Sequence, residues 1–147
     1  MRFWDTSALV PLFIEQATTP LATQTLAQDA ETVLWWATRV EYESALQRLL
    51  REGALDPGEA TVARDSFSLL RDGAMEIEPG DALRSRAERI LRQYPLRAAD
   101  ALQLASALTW VDDEAHGSEF VSFDDRLRNA AAKEGFTVLP ESIASPA

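Results

Sequence analysis

Short apolar runs that alternate with stretches of helical period constrain this chain more than any other feature. The runs are Arg2-Phe3-Trp4-Asp5, Thr32–Trp36, Phe120–Phe123 and Phe136–Leu139, rich in residues that favour strands, and Met75–Glu78 reads as a further short strand. Between them the sequence predicts helices over Thr6–Gln16, Pro20–Asp29, Thr38–Glu52, from Asp56-Pro57 to near Gly73, Asp81–Tyr94, Arg97–Asp112 and Asp125–Glu134. Ser7 is the expected N-cap of the first, where Pro11 is tolerable only within the first turn. Gly53 and Gly135 stand where helices end, and Asp56-Pro57 has the residues of a helix start. In the fifth helix Leu83, Ala87, Ile90, Leu91 and Tyr94 share one side. The helix from Arg97 is apolar nearly all round, so it should be central and buried. Strands alternating with helices predict an α/β fold with a mostly parallel sheet covered on both faces. Right-handed crossovers then fix much of its topology. The 147 residues suit one domain, 1–147, with no linker or repeat.

Composition removes whole classes of chemistry. There are no cysteines, which excludes a disulfide framework, thiolate zinc sites and a cysteine nucleophile. The one histidine, His116, lies in the polar stretch Asp112-Asp113-Glu114-Ala115-His116-Gly117-Ser118 and reads as a surface residue. No apolar run nears the ~20 residues of a membrane span, and no signal-type segment opens the chain. A soluble cytoplasmic protein with no membrane partner is the expectation. The net charge of −10 argues against nucleic-acid binding by bulk charge. It leaves room for a nuclease whose acids hold metal. Trp35 and Trp36 end an apolar strand, so one or both should fill the core or an interface rather than stack on bases.

Four acids fall where the predicted elements would gather them. Asp5 and Asp124 end strands, Glu41 opens a helix after a strand, and Asp100 is the only acid in the mostly apolar run Leu96–Val111. Each has a plainer account. Asp5 and Asp124 could simply cap the helices that follow them. Thr38-Arg39-Val40-Glu41 matches a capping box, in which Glu41 reaches back to the N-cap amide. Asp100 shares a face with Leu96, Leu104, Ala107 and Val111, where an acid is costly unless paired, and Arg97 is the nearest partner in sequence. One shared site accounts for all four at once. In a parallel α/β sheet, ligand sites form at the carboxyl ends of strands. Carboxylates gathered there repel, by about 4 kcal/mol for a pair ~4 Å apart at an effective dielectric of 20. A hard divalent cation, Mg²⁺ or Mn²⁺, relieves that and takes oxygen ligands.

The motifs Asp5-Thr6-Ser7-Ala8-Leu9, Glu41 in its helix, Leu96-Arg97-Ala98-Ala99-Asp100-Ala101 and Phe120-Val121-Ser122-Phe123-Asp124-Asp125-Arg126-Leu127 resemble the PIN-domain ribonucleases. Within these the chain is similar to VapC-type toxins of toxin–antitoxin pairs. The resemblance spans nearly the whole chain in the family's motif order. It implies a three-layer α/β/α sandwich and Mg²⁺- or Mn²⁺-dependent endonucleolytic cleavage of RNA. It implies metal ligation by Asp5, Asp100 and Asp124, with Glu41 positioning the attacking water. Ser7, Arg97, Ser122 and Asp125 are implied supporting residues. An antitoxin partner and a homodimer follow from the same likeness. Two rivals remain. A phosphoacceptor signalling domain would want a lysine after a late strand, whereas Lys133 precedes Phe136. A catalytically idle PIN-like binding module would act through an antitoxin or a DNA-bound complex.

Overall fold

In the computed structural model, which describes residues 1–143, the alternation becomes a parallel sheet between two helical layers. The elements run β1 (Arg2–Trp4), α1 (Thr6–Phe13), α2 (Thr19–Gln28), β2 (Thr32–Trp35), α3 (Thr38–Arg51), α4 (Pro57–Asp72), β3 (Met75–Ile77), α5 (Asp81–Gln93), α6 (Ala98–Trp110), β4 (Glu119–Val121), α7 (Asp125–Lys133) and β5 (Thr137–Leu139). The strands lie in the order β3-β2-β1-β4-β5, every neighbouring pair parallel. This is the three-layer α/β/α architecture expected.

Strand side chains alternate between faces, and the core divides accordingly. Phe3, Val33, Trp35 and Phe120 pack with Leu83 and Ile90 of α5, Leu104 and Leu108 of α6, and Leu127 of α7. Trp4, Leu34 and Val121 pack on the other side with Leu9 of α1, Tyr42 and Leu46 of α3, and Phe67 of α4. β1 and β2, buried on both faces, read as continuously apolar, whereas the edge strands β3 and β5 are exposed or half-buried.

Chain order reverses at β1, which has β2 on one side and β4 on the other. A crevice must therefore open between the carboxyl ends of β1 and β4, because their connections leave in opposite directions. Asp5 and Asp124 follow these two strands, and the Asp5 N–H donates to the Val121 carbonyl across them at 3.0 Å.

Several local expectations need correction. Asp5, not Ser7, is the N-cap of α1. Pro11 lies beyond the first turn, inside the helix, where it removes the amide bond to the preceding turn. α1 then stops at Phe13 instead of running to Gln16, and the Thr19 hydroxyl donates to the Pro11 carbonyl at 2.6 Å. The Thr38–Glu41 capping box does not form. Ala37 is the N-cap, its carbonyl already accepting from Val40 and Glu41, so Glu41 stands one residue too far along to reach back. On α5, Leu83, Ala87 and Ile90 are buried, but Leu91 is exposed. Trp35 fills the core, whereas Trp36 is 52% exposed.

Candidate active site

Asp5 caps α1 and lies at the candidate site. One carboxylate oxygen accepts the Ser7 N–H, and Oδ2 is buried with no hydrogen-bond partner. A buried carboxylate oxygen without a partner among the protein's groups calls for a proton, a water or a cation. Burial pushes the Asp5 carboxyl from 3.8 up to about 6. The Ser122 and Ser7 groups soften that rise, and the charge of Asp100 adds to it.

Glu41, freed from capping, turns toward the sheet. It accepts from Gln103 Nε2 at 3.0 Å and from the Thr6 hydroxyl at 3.4 Å. Burial, then the charges of Asp5 and Asp100, raise its carboxyl to about 7, against the lowering effect of Gln103 and Thr6. Asp100 is half-buried, its carboxyl raised by burial and by Asp124, with a smaller opposing pull from Arg97. The Arg97–Asp100 ion pair does not form among the described residues. Arg97 instead occupies the N-cap position of α6, exposed. Asp124 caps α7, accepting from the Leu127 N–H at 2.8 Å. Asp125 lies in the first turn of α7, exposed, its charge felt by Arg128.

The four acids thus form one electrostatic set, Glu41 coupled to Asp5 and Asp100, and Asp100 to Asp124. Among the described residues no three of them close into a ready-made metal cage. The donor set nevertheless suits a hard cation. All four are oxygen donors, three have raised proton affinity, and Asp5 Oδ2 lacks a partner. A bound divalent ion would invert that proton affinity. Asp5, Asp100 and Asp124 are the residues that would hold it.

Hydroxyls tie the two strand ends together. Ser7 and Ser122 lie Oγ to Oγ at 3.3 Å, Ser7 Oγ accepts the Phe123 N–H, and Ser122 Oγ accepts the Asp124 N–H. Two contributors were not foreseen. Gln103 is 1% exposed, and its amide reaches Glu41, Thr38 and Thr6 within 3.1 Å. A lone amide one turn beyond Asp100 in an apolar helix was the available signal. Arg128 donates to the Ser122 carbonyl at 2.8 Å and to the Pro140 carbonyl at 2.6 Å, clamping the β4 end. His116 is exposed, far in sequence from any of these groups.

A model of the PIN domain family matches residues 2–133. A comparison with curated proteins finds no match. Among solved structures, the chain is similar to VapC20 of Mycobacterium tuberculosis, described as a Sarcin-Ricin loop cleaving toxin. The TM-score is 0.66 at 17% identity, covering 93% of this chain and 97% of that one. It is also similar to FitAcB from Neisseria gonorrhoeae, with a TM-score of 0.65 at 15% identity, covering 94% and 96%. A toxin–antitoxin complex from Klebsiella pneumoniae gives 0.59 at 15% identity, covering 84% and 87%. At such identities the likeness is one of fold.

Proposed function

The chain belongs to the PIN-domain family, and from that premise we propose that it is a Mg²⁺- or Mn²⁺-dependent endoribonuclease, the toxin of a toxin–antitoxin pair. The observation that carries the proposal is the electrostatic set of four acids at the crevice between β1 and β4, one of them with a buried oxygen lacking any partner. When bound there, a divalent ion supplies an activated water and charge stabilisation on the attacked phosphate.

The residues divide the remaining work. Asp5, Asp100 and Asp124 would hold the ion, and the Ser7–Ser122 link keeps the two strand ends at fixed separation. Gln103 and Thr6 aim the Glu41 carboxylate, which positions the attacking water and takes its proton. The water oxygen forms a bond to phosphorus as the bond from phosphorus to the ribose 3′-oxygen breaks, and that oxygen leaves protonated. The products carry 5′-phosphate and 3′-hydroxyl ends. The 2′-hydroxyl serves recognition at most.

The partners follow the same reading: an RNA substrate, an antitoxin, and a second copy in a homodimer, with residues 1–147 as one PIN-like domain in the cytoplasm. The toxin–antitoxin complex among the structural relatives supports the antitoxin. No helix among the described residues is long and apolar enough to cross a membrane. The second reading is an idle binding module that acts through an antitoxin or a DNA-bound complex. Cleavage separates them. Purified protein free of antitoxin should cut single-stranded RNA with Mg²⁺ or Mn²⁺ and not in EDTA. Cyclic-phosphate ends, or full activity in EDTA, would exclude the mechanism. No cleavage of varied RNAs would leave the binding module.

A further inference from the structure

On the ribonuclease reading a site built of acids acts on a polyanion, in a chain whose net charge is −10. The placement of cations near the acids is therefore informative. Many arginines are already committed: Arg2 to Glu119, Arg64 to Glu43, Arg84 to Asp81, Arg86 to Asp113 and Arg89 to Glu134. Arg128 is held by backbone carbonyls. Arg39, Arg48, Arg51, Arg92, Arg97 and Arg126 form no ion pair among the described residues. Of these, Arg48, exposed in the last turn of α3, lines the same cavity as Glu41.

Glu41, Ser44, Ala45 and Arg48 recur at helical spacing and make one stripe of α3. That stripe faces Thr6 and Ser7 of α1, and Gln16 beyond it, across a cavity of about 350 Å³ with a mostly polar lining. One end of the cavity is the candidate site, where Thr6 bonds Glu41 and the Ser7 N–H bonds Asp5. Arg48 stands at the other end, two helical turns away, a rise of about 10 Å. An anion held there is not the phosphate at the acids.

We infer that the α1–α3 cavity is a track for the RNA backbone, in which Arg48, with Ser44 and Gln16, binds a phosphate next to the one being cut. This rests on the ribonuclease reading above. A guanidinium stays charged and its fork matches phosphate oxygens, while Ser44 and Gln16 add neutral donors. A phosphate contact fixes register without reading bases, so Arg48 serves every sequence equally. The competing account is that Arg48 only complements the dipole at the end of α3.

The test compares wild type, Arg48→Gln, Arg48→Lys and Arg51→Gln in Mn²⁺-dependent cleavage of a labelled, unstructured single-stranded RNA between about 50 and 200 mM salt. Arg51 lies in the same last turn of α3 but does not line the cavity, so its substitution removes the same charge elsewhere. Arg48→Gln should raise KM about tenfold with kcat within about twofold, the cost of one exposed charge-assisted contact. It should flatten the log–log salt dependence of kcat/KM by about 0.7, the share of one phosphate on a single strand. Arg48→Lys should keep most of that slope, and Arg51→Gln should behave as wild type. An unchanged KM and slope in Arg48→Gln overturns the track, as does an equal flattening in Arg51→Gln. If wild type cuts no RNA, the ribonuclease reading fails first and the track falls with it.

Discussion

The two edges of the sheet treat charge in opposite ways. At the amino edge Arg2, Glu119 and the N-terminus are all paired. Arg2, 9% exposed, bonds Glu119 through two nitrogens, at 3.1 and 3.3 Å, and donates to the Thr25 carbonyl at 2.8 Å. The N-terminal ammonium pairs with Asp29. At the carboxyl edge Asp5, Glu41, Asp100 and Asp124 face one another with no ion pair among the described residues. The same chain can pair its acids, so their isolation at one edge is not a shortage of arginine. A charge that only holds structure is neutralised within the fold, whereas a charge that must meet a ligand is left for it.

The largest expected effect breaks the comparison if it appears at the wrong edge. Asp5→Asn and Asp124→Asn should each lower kcat for RNA cleavage by at least about a thousandfold, because a lost ligand disrupts the ion that activates the water. Asp125→Asn, exposed on α7, should retain most activity. Single-turnover cleavage with saturating Mn²⁺ measures both. Activity in either ligand variant near that of wild type would remove the acids from the chemistry.

A smaller effect tests the isolation itself. The folded-state carboxyl of Asp5 lies near 6 and that of Glu41 near 7, both above their ordinary values of 3.8 and 4.5. The metal-free fold therefore keeps their contribution below about pH 4 and loses it as the pH climbs toward about 7. For Asp5 the rise corresponds to about 3 kcal/mol. In EDTA, Asp5→Asn should match wild type near pH 4 and exceed it by up to about 3 kcal/mol at pH 8, since Asn caps α1 equally well. Adding Mn²⁺ at ~100 times its dissociation constant should return about 2.7 kcal/mol to wild type alone. Denaturant midpoints across pH, with and without metal, decide it. A wild type as stable as Asp5→Asn in EDTA at pH 8 would mean the edge is not strained.

The smallest effect is the mirror image. Glu119→Gln leaves Arg2 half-partnered at the amino edge and should destabilise the fold by about 1–2 kcal/mol, discounted because Glu119 is partly exposed. Cleavage should be unchanged. A melting curve and one activity assay suffice, and a loss of kcat without loss of stability would erase the distinction between the edges.

Much of this was legible in the chain. Strand and helix periods span only a few residues, so apolar runs and their helices announced the layers. Asp5, Asp124 and Asp100 stood out because local spacing placed them at strand ends and in an apolar helix. Local spacing also misled. Thr38 and Glu41 have the interval of a capping box, yet Ala37 begins the helix one residue early, and the crossover between β2 and β3 turns Glu41 to the site. Only the tertiary structure could decide that Gln103, 62 residues away, would hold Glu41. The same holds for Ser7 meeting Ser122 across 115 residues and for Arg128 clamping the end of β4. The sequence by itself determined which residues are acidic and which elements carry them. Their burial, mutual coupling and supporting partners depend on contacts between distant segments, and the packed sheet alone brings those segments together.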